Sequence, residues 1–274
     1  MLRPHKPNGA TAKGIIMSNR VQQGLPSSRV PIAPGMATQL DAELAELSTL
    51  EERLAWLRER IVGPIAFSTS LGLEDQAVLH GLHIGKLNID VFTLDTGRHF
   101  AETLETIAES ERKYRRSIRL IAPDAKAVEV LTARDGVLGF RHSIAARKAC
   151  CEVRKVAPLR RSLLGAAGWL TGLRRGQAAG RAAVPFAAWE AGLGLIKLNP
   201  IADWSDKVLA DYIRAHDIPV NSLHAHGYPS IGCQPCTRAI RPGEDIRAGR
   251  WWWENEDGKE CGLHNRPKTK GPAA

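Results

Sequence analysis

A repeated succession of short apolar strand, polar turn and amphipathic helix most constrains how this 274-residue chain can fold. Each apolar run ends in polar or glycine-containing residues, and helical periodicity then resumes. Alternation of this kind predicts a parallel sheet with crossover helices, an α/β fold of the doubly wound type. The pattern comprises strands at 64–68, 89–94 and 117–121, with helices at 76–83 and 101–114.

The segments on either side extend this pattern. One long helix is predicted over 41–61, where leucines recur at helical spacing. Further strands are predicted at 168–173 and 195–200, and a helix over 204–216 has Asp203 or Ser205 available as its cap. Beyond Pro219 the chain is rich in Gly, Pro, Arg and Trp, which favours irregular structure.

Composition suggests where the folded domain begins. Residues 1–39 carry five basic residues and no acidic one and are rich in Pro, Gly and Ser, so we predict a disordered extension there. An organelle transit peptide is the alternative for such a basic segment. We therefore predict an α/β domain over 40–236 and a C-terminal tail over 237–274.

The net charge of +9 favours an anionic partner. No long basic run or aromatic-interleaved basic stripe is present, so the charge does not predict a nucleic-acid track. Neither a membrane-spanning apolar run nor a secretory signal is evident, and a cytoplasmic location is expected.

The five cysteines fall into two pairs and a single residue. In a reducing compartment, clustered cysteines are more often metal-binding or catalytic than disulfide-bonded. The pairs Cys150–Cys151 and Cys233–Cys236 could hold zinc or an iron–sulfur cluster. Adjacent cysteines suit tetrahedral zinc poorly, and the cluster is favoured. Cys261 remains as a candidate nucleophile.

Polar turns follow three of the predicted strands, at 68–75, 95–98 and 172–177. Ligands of open α/β sheets bind at the carboxyl ends of strands, so these turns are the predicted walls of a pocket. Ser68 and Ser70, beside a helix N-terminus, suit phosphate or sulfate oxygens. Asp95 could hold a ribose and Arg98 a phosphate, although ordinary capped turns would use the same residue types.

The tail combines cations with the fifth thiol. Cations near a thiol lower its pKa and so increase the thiolate fraction, which is the nucleophilic form. Arginine can also bind phosphate or sulfate oxygens in bidentate fashion. Cys261 is followed three residues later by His264, and Arg238 and Arg241 precede it in the same segment.

Taken together, these motifs resemble the assimilatory adenylyl-sulfate reductases, the cluster-containing branch of the phosphoadenylyl-sulfate reductase family. The resemblance covers residues 40–266. The motifs are Ser70–Gln76, Leu94–Arg98, Arg147–Lys155, Thr171–Arg175, Gly227–Arg238, Gly249–Glu254 and Lys259–His264.

The resemblance implies an adenine-nucleotide alpha-hydrolase-like fold and a reductase that converts adenosine 5′-phosphosulfate to sulfite and AMP. It implies that Cys261 attacks the substrate sulfur and forms an S-sulfocysteine, which thioredoxin, a separate protein, then reduces. It further implies a [4Fe-4S] cluster on Cys150, Cys151, Cys233 and Cys236, and substrate contacts from Lys155, Arg174, Arg238, Arg241 and His264.

Three alternatives stay open at this point. The substrate could carry a 3′-phosphate, or both nucleotides could be used. A tRNA-thiolating enzyme would need a different ATP loop from that at 68–75, and an iron–sulfur redox sensor would leave the nucleotide turns and Cys261 unexplained. The oligomeric state, including a homo-oligomer, also stays open.

Overall fold

The computed structural model describes residues 32–254 and Leu263, and its centre is a six-stranded sheet in the order β3-β2-β1-β4-β6-β5. All neighbouring strands are parallel except β5, which runs antiparallel to β6. This confirms the predicted α/β, doubly wound class. The strands are β1 (Ile65–Ser68), β2 (Asp90–Leu94), β3 (Arg119–Ile121), β4 (Gly168–Leu170), β5 (Ala187–Glu190) and β6 (Leu195–Leu198).

Eight α-helices among the described residues cover the sheet and its ends. A π-helical turn, Glu152–Val156, joins the sixth to the seventh, so that the segment with the first cysteine pair is continuously helical. The helices are α1 (Pro34–Ala45), α2 (Leu50–Arg60), α3 (Leu73–Ile84), α4 (Ala101–Tyr114), α5 (Ala125–Asp135), α6 (Ile144–Cys151), α7 (Ala157–Ser162) and α8 (Asp206–Ala215).

The N-terminal helical region corrects two predictions. The single helix expected over 41–61 is two helices, because Thr49 forms a capping box with Glu52 and starts α2 anew. Residues 34–39, expected in the disordered extension, lie in α1, where Ala37 and Leu40 are buried in the core. Residues 1–31 lie outside the described part of the chain.

Most other predicted elements are confirmed, within a few residues at their ends. Ser205 caps α8 through its side chain, which accepts a hydrogen bond from Val208 N–H. The prediction missed the edge strand β5 and the helices α5 to α7, which follow no clear strand–turn–helix signal. From residue 219 to 254 the chain forms turns, 3-10 segments and one isolated β-bridge between Thr237 and Arg250, which agrees with the predicted irregular structure.

The strand order places a topological switch point between β1 and β4. From β1 the chain continues outward to β2 and β3, whereas β4 lies on the other side of β1 and leads to β6. The turns that follow the two central strands therefore diverge and leave a crevice at their carboxyl ends. None of the helices in the described ranges combines the length and apolar character that a bilayer span requires.

Arg53 ties α2 to the loop that follows β6. Its guanidinium donates to both carboxylate oxygens of Asp203, at 2.7 and 2.8 Å, and to the Pro200 carbonyl at 2.9 Å. The arginine side chain is 3% exposed and the Asp203 side chain 40%. The ion pair thus holds together two segments that are distant in sequence.

We expect Arg53→Gln to lower the free energy of unfolding by about 2–4 kcal/mol, because it breaks this network and leaves buried acceptors without donors. Chemical denaturation measures the change. Arg134→Gln is the control: it removes an exposed pair with Asp135 and should cost less than about 1 kcal/mol. Equal losses in the two variants would contradict the role given to Arg53.

Candidate active site

A cavity of about 160 Å³ occupies the crevice at the carboxyl ends of β1, β2 and β4. The turns predicted to converge do meet there. The second turn contributes Thr96, the first contributes Ser68, Thr69, Ser70, Glu74 and Asp75, and the third contributes Gly172, Leu173 and Gln177. Hydroxyl groups dominate the polar lining, which includes Ser68, Thr69, Ser70, Thr93, Thr96, Thr103 and Thr171.

The buried carboxylate of Asp75 joins two of these turns. One oxygen accepts hydrogen bonds from the Ser70 N–H and hydroxyl, both at 2.6 Å. The other accepts from the Gly172 N–H at 2.9 Å. Burial raises the pKa of Asp75 to about 6, with the hydrogen bonds from Ser70 opposing the shift. At neutral pH the ionised carboxylate thus fixes the β1 turn against the β4 turn.

Gly172 is required for this approach. A Cβ atom at this position would lie 2.4 Å from the Asp75 carboxylate and 2.9 Å from its backbone nitrogen. Both distances are shorter than real contacts allow, and one of the atoms belongs to the backbone. A side chain at 172 would therefore force the two walls apart.

Lys155 lies at the wall between this cavity and a second, smaller one. The second cavity, of about 20 Å³, is lined by Cys150, Cys151, Cys233 and Cys236. Lys155 and Cys233 line both cavities. The structure thus brings the two cysteine pairs together directly beside the crevice, although 82 positions separate Cys151 from Cys233 in the sequence.

The four thiols are unbridged and stand among cations. Arg98, Arg147, Arg154, Lys155 and Arg250 line the same small cavity. Burial opposes ionisation of Cys233, but Lys155, the Thr96 hydroxyl and Arg250 hold the pKa of that thiol below its usual value. Burial and the neighbouring Cys233 raise the pKa of Cys236 to about 12.

Within the described residues, no three His, Cys, Asp or Glu side chains are arranged around a single metal ion. A single zinc ion would need its thiolates about 2.3 Å from one point. A four-iron cluster sets a different requirement, because its four thiolates bind it together but surround a larger body. All four cysteines line the small cavity, which is the arrangement that a four-iron cluster requires.

Contacts from the C-terminal segment close the cysteine cavity. Arg147 of α6 forms a buried ion pair with Glu254 at 2.5 Å. Trp251 donates its backbone N–H to the Cys236 carbonyl at 3.1 Å, and the Arg250 guanidinium packs over the Trp251 ring. These contacts hold the last described stretch of the chain against the thiols.

Five of the predicted substrate-binding residues lie in or around the two cavities. Ser68, Ser70 and Lys155 line the larger one. Arg98 instead lines the cysteine cavity, where it donates to the Val137 carbonyl at 2.7 Å. Asp95 accepts a hydrogen bond from the Gly97 N–H at 2.8 Å and so shapes the turn between the two cavities.

Arg174 is engaged in a network of ion pairs and hydrogen bonds. Its guanidinium donates to Glu74 at 2.8 Å, to Asp206 at 2.7 Å and to the Trp204 carbonyl at 3.0 Å. With its side chain 3% exposed, it supports the cavity wall from behind. Its predicted contact with a ligand stays a prediction.

The predicted residues of the tail lie apart from both cavities or outside the described residues. Arg238 pairs with Glu244 at 2.8 Å, and Arg241 is exposed beside the same carboxylate. Cys261 and His264 lie outside the described residues. Leu263 is described: it lines the larger cavity and packs against the cluster of buried residues that contains Trp169 and Leu159.

Sequence reasoning missed several residues of the larger cavity. Arg181 lines it and donates to Gln177 at 2.6 Å. His99 also lines it, and burial lowers the pKa of this imidazole, with Asp95 opposing the shift. Asp75 belongs to a quoted motif, but no local signal indicates that it reaches Gly172.

A mostly parallel α/β sheet with a hydroxyl-lined crevice at its switch point defines a doubly wound fold of the kind that binds ligands at the carboxyl ends of its strands, here with a cysteine cavity beside the crevice. A model of the phosphoadenosine phosphosulfate reductase domain matches residues 64–239. The chain belongs to the phosphoadenosine phosphosulfate reductase family.

Curated relatives and a solved structure support this assignment. The adenosine 5′-phosphosulfate reductase of Agrobacterium fabrum is 51% identical over 82% of this chain and 86% of its own length. That of Allochromatium vinosum is 46% identical over 91% and 92%. The crystal structure of phosphoadenylyl-sulfate reductase from Candida auris, a phosphate complex, has a TM-score of 0.65 at 25% identity and covers 77% of this chain and all of that one.

We expect Gly172→Ala to weaken adenine-nucleotide binding by roughly tenfold or more, because the added methyl group displaces the Asp75 carboxylate and costs at least about 1.4 kcal/mol. Calorimetric titration with AMP measures the change. Gly35→Ala is the matched control, since a Cβ at that position meets nothing within 4 Å. AMP affinity that is unchanged in Gly172→Ala would contradict the bridging role of Asp75.

Proposed function

We propose that the protein reduces adenosine 5′-phosphosulfate to sulfite and AMP in sulfate assimilation. The family assignment and the names of the relatives, at about half identity over most of the chain, support this activity. The observation that carries the proposal is the shared wall. A hydroxyl-lined crevice and a cavity with four thiols meet at Lys155 and Cys233, and Leu263 of the tail lies in the crevice.

The crevice supplies the groups that a nucleotide sulfate requires. Ser68, at the end of β1, has a hydroxyl proton to donate to a phosphate or sulfate oxygen. Ser70 lies on the turn before α3, where anions are favoured, and would exchange its hydrogen bonds to Asp75 for the substrate. Lys155 adds a full positive charge at the boundary with the cysteine cavity. In this proposal the phosphosulfate group lies towards Lys155, and the adenosine extends along the β4 turn towards Gln177.

Cys261 is the proposed nucleophile. Leu263 lines the crevice, and two residues span at most about 7 Å of chain, so the thiol of Cys261 has the crevice within reach. Its thiolate attacks the sulfur atom, the bond from sulfur to the bridging oxygen breaks, and AMP leaves with the electron pair. The product is an enzyme S-sulfocysteine.

Reductive release completes the reaction. A thiolate of reduced thioredoxin attacks the Cys261 sulfur, and sulfite leaves with the electron pair of the broken sulfur–sulfur bond. The second thioredoxin thiol then resolves the mixed disulfide and restores Cys261. The thioredoxin dithiol thus provides the two electrons. A reducing compartment such as the cytoplasm would supply this partner and keep the cysteines reduced.

Cations near the crevice would stabilise charge as the sulfur is attacked. Lys155 already faces it. We assign Arg238, Arg241 and His264 to the phosphosulfate oxygens as well, and this requires Arg238 to exchange its present partner Glu244 for the substrate. Cations of this kind act where negative charge is redistributed in the transition state.

The cysteine cavity fits an iron–sulfur cluster by the chemistry of its donors. Four soft thiols from two segments line one buried space, and five cationic side chains offset the charge of their thiolates. Cys150, Cys151, Cys233 and Cys236 would hold a [4Fe-4S] cluster. When bound, the cluster would supply a fixed local charge beside Lys155 and shape that wall of the crevice.

Steady-state kinetics with two nucleotides, each supplied with thioredoxin, test the proposal. We expect sulfite release from adenosine 5′-phosphosulfate, with a kcat/KM at least about tenfold above that for the 3′-phosphorylated nucleotide. The cysteine set favours the unphosphorylated substrate, because it resembles that of the cluster-containing branch. A preference for the 3′-phosphorylated nucleotide would replace the proposed substrate, and no sulfite from either nucleotide would contradict the activity.

A further inference from the structure

Lys197 is a lysine buried within the sheet. It lies on β6 in register with Trp169 of β4, and side chains in register on neighbouring parallel strands project to the same face. The Nζ atom of Lys197 is 4.7 Å from the centroid of the Trp169 ring. The lysine is 8% exposed and the tryptophan 1%, so the ammonium group and the indole face each other in a setting of low dielectric.

The indole in turn contacts the crevice. Its N–H donates to the Ser68 hydroxyl oxygen at 2.7 Å, and both Trp169 and Ser68 line the larger cavity. A hydroxyl group has one proton to donate. Because the Ser68 oxygen accepts from the indole, its own proton can be donated into the crevice.

The positive charge of Lys197 therefore affects the Ser68 hydroxyl through the Trp169 indole. A cation over an indole face is attracted to the π-electrons and draws electron density away from the N–H group. Hydrogen bonds in series polarise one another, so a more polar indole N–H makes the Ser68 hydroxyl a better donor. The effect is strongest in a buried setting, and both Lys197 and Trp169 are buried.

We propose that Lys197 is a positioning residue for the nucleotide, acting through the Trp169 indole on the hydrogen bond that Ser68 donates to a nucleotide oxygen. The inference rests on the proposed function for the identity of that nucleotide.

Kinetics of Lys197→Met test the inference. We expect KM for adenosine 5′-phosphosulfate to rise roughly 1.5- to 5-fold, because polarisation strengthens the hydrogen bond from Ser68 by only about a tenth to a third of its energy. We expect kcat to change less than about twofold, because the lost interaction is made equally in the ground state and the transition state. KM for thioredoxin should not change. Lys197→Arg keeps a cation over the ring and should restore most of the affinity.

Arg60→Met is the matched control. Arg60 also lies over a tryptophan, with its guanidinium 5.1 Å from the Trp56 ring, but that pair is outside the crevice. Its loss should leave KM unchanged.

A double-mutant cycle separates the proposed route from a general loosening of the sheet. In a Ser68→Ala background, Lys197→Met should have little further effect on KM. An equal effect in both backgrounds, or no effect in the wild-type background, would overturn the inference. Should Lys197→Met not fold, Trp169→Phe removes the indole N–H but keeps a ring, and an unchanged KM in that variant would overturn it equally. Absence of sulfite formation by the wild-type protein would instead contradict the proposed function.

Discussion

The buried carboxylate of Asp75 is the interaction on which the site depends. Strand order alone creates a crevice between β1 and β4, because the chain leaves these strands in opposite directions. It does not fix the distance between the two turns. Asp75 does so by accepting from Ser70 on one side and Gly172 on the other. Three donors around one carboxylate also offset the cost of burying it.

The two cavities are structurally connected because they share a wall. Lys155 belongs to the helical segment that carries the first cysteine pair, and Cys233 belongs to the second pair. Arg154 donates to the Thr96 carbonyl at 2.7 Å, which connects this segment to the turn after β2. Movement of the cysteine segments would consequently alter the crevice, and a cluster held by the four thiols would stabilise both.

The sequence predicted the parallel sheet and the meeting of three turns, because alternating strands and helices permit few arrangements. It also indicated that the cysteine pairs act together. The structure brings all four thiols to one cavity, and their role as ligands stays a prediction. The sequence did not distinguish arginines that line a cavity from arginines that are engaged by carboxylates elsewhere. Arg98 and Arg174 both follow strands, yet Arg174 is engaged by Glu74 and Asp206, and such partners become visible only when distant segments pack. For the same reason, no local pattern indicated Arg181 or the contact between Trp169 and Ser68.

The proposed reaction depends on the attack of Cys261 on the substrate sulfur. Its most direct test is to incubate the protein with adenosine 5′-phosphosulfate without any reductant, and to map the modified residue by mass spectrometry. We expect one sulfonate group on Cys261 and one equivalent of AMP. The Cys261→Ser variant should give neither, and it should retain the absorbance of the cluster. A sulfonate on another residue, or adduct formation in Cys261→Ser, would contradict the proposed attack.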